Sequence, residues 1–204
     1  MNTLITKFGD DKIYNLIRNN EVIAFPTETV FGLGANSASK KAFNNLVKVK
    51  ERKPDKPFTL MCHSINQIED IVIINNNAKK IIEKFMPGSI TVLLKAKEGI
   101  DEHLHLTSKY IGVRIPEDKN LLEFLKYYNK PLLVPSANKA DCTPATSIKE
   151  VFNYFEKEIK YCVSGKCVTN LPSTIVQIDN DIKIIRKGPI TEEEIREVLK
   201  WKLY

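Results

Sequence analysis

The sequence predicts an α/β (α+β) fold, a twisted mixed β-sheet with flanking helices, and three observations carry that prediction. Short apolar runs of strand length, Val22 to Phe25, Phe58 to Cys62 and Leu132 to Val134 among them, are interspersed with segments whose apolar residues recur at helical spacing. Two of these runs end in proline, at Pro26 and Pro135, and proline has no N–H to give to a sheet. Two β-rich runs, Thr174 to Ile178 and Ile182 to Arg186, follow each other near the C-terminus, so strands and helices do not alternate strictly.

Taken in order, residues 10–19 place Ile13, Leu16 and Ile17 on one face and predict an amphipathic helix. Val22 to Phe25 reads as a buried strand. It opens into Pro26-Thr27-Glu28-Thr29-Val30-Phe31-Gly32-Leu33-Gly34-Ala35-Asn36, a hydroxyl-rich, glycine-containing loop of the kind that often holds a site. On spacing alone it is equally a glycine turn joining strand to helix. Ser39 is placed to cap a helix to about Val49, with Ala42, Phe43, Leu46 and Val47 inward. Lys48 to Pro57 then carries five basic and two acidic residues with two prolines. That stiff cationic loop suits either a solvated helix end or a polyphosphate.

Phe58 to Cys62 is a buried strand, and helices are predicted over about 66–71 and 76–86, the second stopped by Met86-Pro87-Gly88. Ile90 to Lys95 and Tyr110 to Ile115 are β-rich. Arg114 stands inside the latter, where a buried charge needs a structural carboxylate or an anionic ligand. A helix over 118–128 precedes the strand Leu132 to Val134, which opens into Pro135-Ser136-Ala137-Asn138. This repeats the earlier device of apolar strand, proline and small polar residues. Two such strand ends side by side make a polar cleft. Thr143-Pro144-Ala145-Thr146 adds hydroxyls, and Ser147 caps a helix to about Glu158. The last helix opens on a capping box, Thr191 with Glu194, and is amphipathic through Ile195, Val198 and Leu199.

A chain of 204 residues is read as a single domain, 1–204, long enough to bury a core. No run has the length of a membrane helix or of a signal-peptide core, so no membrane association and a cytoplasmic location are expected. Cys62, Cys142, Cys162 and Cys167 form no CxxC pair and are expected as reduced thiols. His103 and His105 alternate around Leu104 with no third ligand nearby, so no metal site is expected from protein side chains. The formal charge of +6 favours an anionic partner: nucleotide, phosphate or RNA.

Several motifs in order, over residues 25–188, carry a resemblance. They are Pro26-Thr27-Glu28-Thr29-Val30-Phe31-Gly32, Lys50-x-Arg52, Pro87-Gly88-Ser89-Ile90-Thr91, Gly112-Val113-Arg114-Ile115-Pro116, Ser136-x-Asn138, Pro172-Ser173-Thr174-Ile175-Val176 and Ile185-Arg186-Lys187-Gly188. Together they resemble the YrdC-like family of L-threonylcarbamoyladenylate synthases. The resemblance implies a twisted sheet with a large concave basic cavity. It also implies a nucleotidyltransferase that joins L-threonine, bicarbonate and ATP into L-threonylcarbamoyl-AMP and pyrophosphate. The product would pass to a tRNA threonylcarbamoyltransferase complex for the N6-threonylcarbamoyladenosine (t6A37) modification of tRNA.

Carried onto this chain, the resemblance gives Lys50, Arg52, Ser136 and Asn138 as catalytic residues. It gives Lys50, Arg52, Lys56, Asn138, Thr146 and Arg186 to ATP, and Thr27, Thr29, Arg114, Ser136 and Ser173 to threonine. Mg2+ would be held mainly by the ATP phosphates. With anionic groups on every reactant, catalysis is expected to rest on proximity and electrostatics without a covalent nucleophile. Each of these residues also has a structural reading: Ser136 and Asn138 in a turn, Arg186 in an ion pair, Thr146 beside the Ser147 cap. The chain departs from the pattern at Met61, where many members carry a histidine, with His63 out of register. Phe58-Thr59-Leu60-Met61-Cys62 also resembles the paralogous YciO branch, and the chain's end, Trp201-Lys202-Leu203-Tyr204, resembles the short form. Alternative readings are a YciO-like paralogue, a tRNA or double-stranded-RNA binding module without catalysis, and a carbamoyl-transfer domain of the hydrogenase-maturation type. The last normally comes with zinc-finger cysteines that this chain lacks.

Overall fold

The computed structural model describes residues 3–53, 55–179 and 181–200; the four C-terminal residues named above lie outside them. The strands are β1 (Leu4–Thr6), β2 (Ile23–Phe25), β3 (Gly32–Asn36), β4 (Leu60–Met61), β5 (Ile90–Lys95), β6 (Tyr110–Arg114), β7 (Leu132–Leu133), β8 (Tyr161–Val163), β9 (Thr174–Ile178) and β10 (Ile182–Arg186). They form one ten-stranded sheet in the order β1-β8-β2-β3-β7-β4-β6-β5-β9-β10. Pairing is mixed: β2 runs parallel to β8 and antiparallel to β3, and β5 runs antiparallel to β6 and parallel to β9.

The helices are α1 (Asp11–Arg18), α2 (Lys40–Lys50), α3 (Ile65–Ile71), α4 (Asn76–Phe85), α5 (Glu102–His105), α6 (Lys119–Tyr128), α7 (Ile148–Phe155) and α8 (Glu192–Lys200). The caps form as the sequence predicts. Ser39 accepts from the Ala42 N–H and Ser147 from the Glu150 N–H. At α8 the Thr191 N–H donates to Glu194 Oε2 and the Glu194 N–H returns to Thr191 Oγ1.

Strand periodicity sorts the side chains onto two faces. On one, Ala24, Leu33, Leu60, Val92, Val113, Leu133 and Val176 join a core with residues of α2, α3, α4, α7 and α8. On the other, Ile23, Phe25, Met61 and Leu132 pack under Ile13 and Ile17 of α1 and Leu121, Phe124 and Leu125 of α6. That second helical layer covers the β2–β4 side of its face. The alternate residues of β5, β6, β9 and β10, which are Thr91, Leu93, Gly112, Arg114, Ile175 and Ile185, line a cavity instead.

One expectation is corrected, and two strands were not foreseen. Gly32 to Asn36 is a strand, not a loop, and neither glycine has a positive φ. The glycines serve close approach. A Cβ on Gly34 would fall on the Phe25 ring, and one on Gly32 would meet Val134 Cγ1 at 2.7 Å. β1 and β8, three residues each and paired in parallel, join the sheet at the edge beside β2.

Candidate active site

The strand ends that open into Pro26 and Pro135 do lie together. Gly32 bridges Ser136, the Leu33 N–H donates to Pro135 O, and the Ala137 N–H donates to Phe31 O. Beside this junction is a cavity of about 400 Å³. Among the described residues five cationic side chains line it, Lys50, Arg52, Lys56, Arg114 and Arg186, and no carboxylate does.

Lys50, the last residue of α2, is buried, with Nζ 2.6 Å from Ser136 O, 3.0 Å from Asn138 O and 3.1 Å from Asn138 Oδ1. Three acceptors match the three N–H bonds of an ammonium. Burial, with Arg52 and Arg186 adding repulsion, pushes Lys50 down to about 7, while the three oxygens favour the charged form. Ser136 Oγ donates to Asn138 Oδ1 at 2.7 Å, and Asn138 Nδ2 donates to Lys139 O and Cys142 O. Asn138 therefore has its polar groups engaged. It organises the loop behind the cavity without lining it, while Ser136 lines it and keeps acceptor capacity. Lys139 fastens the same loop to Val49 O, Glu51 and Glu158.

Arg52 lies over the Phe58 ring at 5.1 Å, and burial lowers its pKa. Lys56 is exposed at the cavity mouth. Across the cavity, Arg186 donates through Nε to Ser173 O and through Nη2 to Ser173 Oγ, which pairs with Thr91 Oγ1 at 2.9 Å. Burial and then the charge of Arg114 lower the Arg186 pKa. Thr146 lies outside the lining; its N–H and hydroxyl donate to Glu150 Oε2 at the start of α7.

The partner of Arg114 is a structural carboxylate. Nη2 is 2.6 Å from Glu28 Oε1 and 3.0 Å from Thr29 Oγ1, and Nε donates to Gly88 O. With Nη2 and Nε committed, Nη1 is the guanidinium nitrogen left for a ligand among the described residues. The threonine hydroxyls are ordered too. Thr27 gives its single proton to Val30 O, so Thr29 must be the donor in their 2.8 Å contact. Thr27 also accepts the Thr29 N–H and has no spare lone pair, whereas Thr29 keeps one.

Nine of the eleven residues assigned by resemblance thus line one cavity, with Asn138 behind it and Thr146 outside. Met61 lines it as well, paired across the strands with Arg114, while His63 turns away to Asn129. Sequence reasoning missed Glu28 and Thr91. Glu28 was signalled only by the need of Arg114 for a partner; Thr91 by its alternation with Ile90 and Val92 on β5.

The model of the Sua5/YciO/YrdC family, described as "Telomere recombination", matches residues 15–188. The chain is 34% identical over 181 residues to a putative threonylcarbamoyl-AMP synthase of Methanocaldococcus jannaschii, covering 88% of this chain and 85% of that one. It is 31% identical over 188 residues to the threonylcarbamoyl-AMP synthase of Bacillus subtilis, covering 90% of this chain and 54%, about half, of the relative. Its structure is similar to that of Pyrococcus abyssi Sua5 complexed with L-threonine, with TM-score 0.89 at 27% identity, over 97% of this chain and 60% of that one.

Proposed function

The chain belongs to the Sua5/YciO/YrdC family, and from that premise we propose that it is an L-threonylcarbamoyladenylate synthase. It joins L-threonine, bicarbonate and ATP into L-threonylcarbamoyl-AMP and pyrophosphate. We read the chain as one domain whose product passes to a tRNA threonylcarbamoyltransferase. The observation that carries the reading is the cavity, where five cations and a row of hydroxyl groups meet at the joined ends of β2, β3 and β7.

The threonine amine, once its ammonium has lost a proton to solvent, attacks carbon dioxide, giving up a second proton to solvent, or bicarbonate, with loss of water, and in either case a carbamate forms. A carbamate oxygen then attacks the α-phosphorus of ATP. The bond from that phosphorus to the bridging oxygen breaks, and pyrophosphate leaves. Both steps bring anions together, so the positive cavity lowers their mutual repulsion. Arg52 and Lys56 are suited to the β- and γ-phosphates, with Arg186 opposite them. Lys50 holds the Ser136–Asn138 loop, and so positions Ser136 toward the reacting groups, and it adds positive charge when protonated. Nη1 of Arg114 and the spare lone pair of Thr29 form a donor–acceptor pair for the amino acid. A magnesium ion would enter on the triphosphate. No group of three or more His, Cys, Asp or Glu side chains comes together among the described residues, and the cavity lining offers no carboxylate.

The test is incubation with ATP, magnesium and bicarbonate, with and without L-threonine, following pyrophosphate and the adenylate by mass spectrometry. Threonine-dependent release is expected, falling at least about 100-fold in Arg52→Ala, since phosphate clamps carry that order of effect. ATP binding without adenylate formation would sink the reading.

A further inference from the structure

Among the described residues the Glu28 side chain reaches the cavity wall through Arg114, whose Nη2 also donates to Thr29 Oγ1. Its Oε1 accepts from Arg114 at 2.6 Å. Its Oε2 is buried with no hydrogen-bond partner among the described residues. The glutamate side chain is 9% exposed and that of Arg114 6%. A glutamine would supply the one acceptor oxygen that is used. What the carboxylate adds is a negative charge, held where leaving an oxygen unpaired is costly.

That charge divides the cavity in two. Among the described residues Lys50, Lys56 and Arg186 have no carboxylate paired with them, and Arg52 has only the unpaired charge of Asp55 nearby. Of the five lining cations, Arg114 alone has a carboxylate at contact distance among the described residues. One end therefore attracts a polyanion. At the other, the Arg114–Glu28 pair has no net charge but offers an N–H donor at Arg114 Nη1 beside an acceptor at Thr29, with Arg186 bordering it through Ser173. An amino acid zwitterion, also without net charge, matches that end, and a phosphate does not. From this juxtaposition we propose that Glu28 is a specificity-determining, positioning residue: it cancels the charge of Arg114, reserving that end of the cavity for a zwitterion and excluding a second phosphate or pyrophosphate. The identity of the zwitterion rests on the synthase reading; the exclusion of anions does not.

The experiment titrates inorganic phosphate, and separately L-threonine, into protein saturated with a non-hydrolysable ATP analogue, so that the polyanion end is filled. In Glu28→Gln, phosphate affinity should rise about tenfold and L-threonine affinity should fall about tenfold, with the two competing, as expected for an unmasked arginine. Glu28→Asp keeps the charge and should gain no phosphate affinity. Arg114→Met in the Glu28→Gln background should abolish the gain. Phosphate affinity in Glu28→Gln within twofold of the parent, or an equal gain in Glu28→Asp, overturns the proposal. So does a Glu28→Gln protein that stays unfolded in phosphate, because an anion beside Arg114 should replace the lost carboxylate. If the parent binds no L-threonine but Glu28→Gln gains phosphate affinity, the synthase reading falls and the role of Glu28 stands. If the parent binds L-threonine but Glu28→Gln gains no phosphate affinity, the role of Glu28 falls and the synthase reading stands.

Discussion

Lys50 has three hydrogen bonds that want it charged and a buried, cationic setting that does not. Its folded-state pKa of about 7 lies below the ordinary 10.5. Between those values the unfolded chain binds more protons than the folded one, so this residue makes stability rise with pH. Above pH 9 the buried thiols of Cys62 and Cys162, each pushed up to about 12, act in the opposite direction. The window in which Lys50 acts without them is therefore about pH 7 to 9. There, urea unfolding should give a stability that climbs with pH, by at most about 1.4 kcal/mol per unit. The climb should be absent in Lys50→Met, whatever the absolute stability of that variant. An equal slope in both proteins would mean that Lys50 keeps an ordinary pKa.

At the scale of elements, β2 and β3 form one device. The ring of Phe25 fills the space that Gly34 leaves empty, and Val134 does the same at Gly32. Gly34→Ala should cost about 1–3 kcal/mol through overpacking, read as a lower urea midpoint with unchanged slope. Adding Phe25→Leu should return part of it; no recovery would place the strain elsewhere. This pair also marks what the sequence could and could not reveal. Helices α1, α2, α6 and α8 were legible because their apolar residues repeat at helical spacing and their caps are local. β3 was not, because two glycines read locally as a turn, and only the ring of a neighbouring strand gives them their purpose. β1 and β8 were not, because Leu4-Ile5-Thr6 and Tyr161-Cys162-Val163 are too short to show alternation and find each other across more than 150 residues. The site was legible as a set of residue types, down to the alternatives for Arg114. The choice of Glu28 over an anionic ligand depends on how the loop after β2 folds against β6, which no local pattern encodes.

At the scale of the whole molecule, helices of the larger core pack on one face of the sheet and α1 and α6 cover only part of the other, and the open part carries the charge. The chain has a formal charge of +6, and five of its cations line the cavity, four of them with no ion-pair partner among the described residues. ATP approaches as a polyanion and L-threonine as a zwitterion, so salt should separate them. Fields of this kind raise the local concentration of a counter-ion and collapse as the Debye length shortens from about 10 Å at 0.1 M to about 3 Å at 1 M. A zwitterion, with no net charge, feels the field only over the short distance between its two ends. Raising potassium chloride from about 0.05 to 0.5 M should therefore raise KM for ATP about tenfold and leave KM for L-threonine within about twofold. The measurement is initial-rate pyrophosphate release with one substrate varied and the other saturating. Equal salt sensitivity for both would mean that the amino acid also meets net positive charge, and the division of the cavity by Glu28 would have to be abandoned. Unequal sensitivity that becomes equal in Glu28→Gln would tie the difference to that one carboxylate.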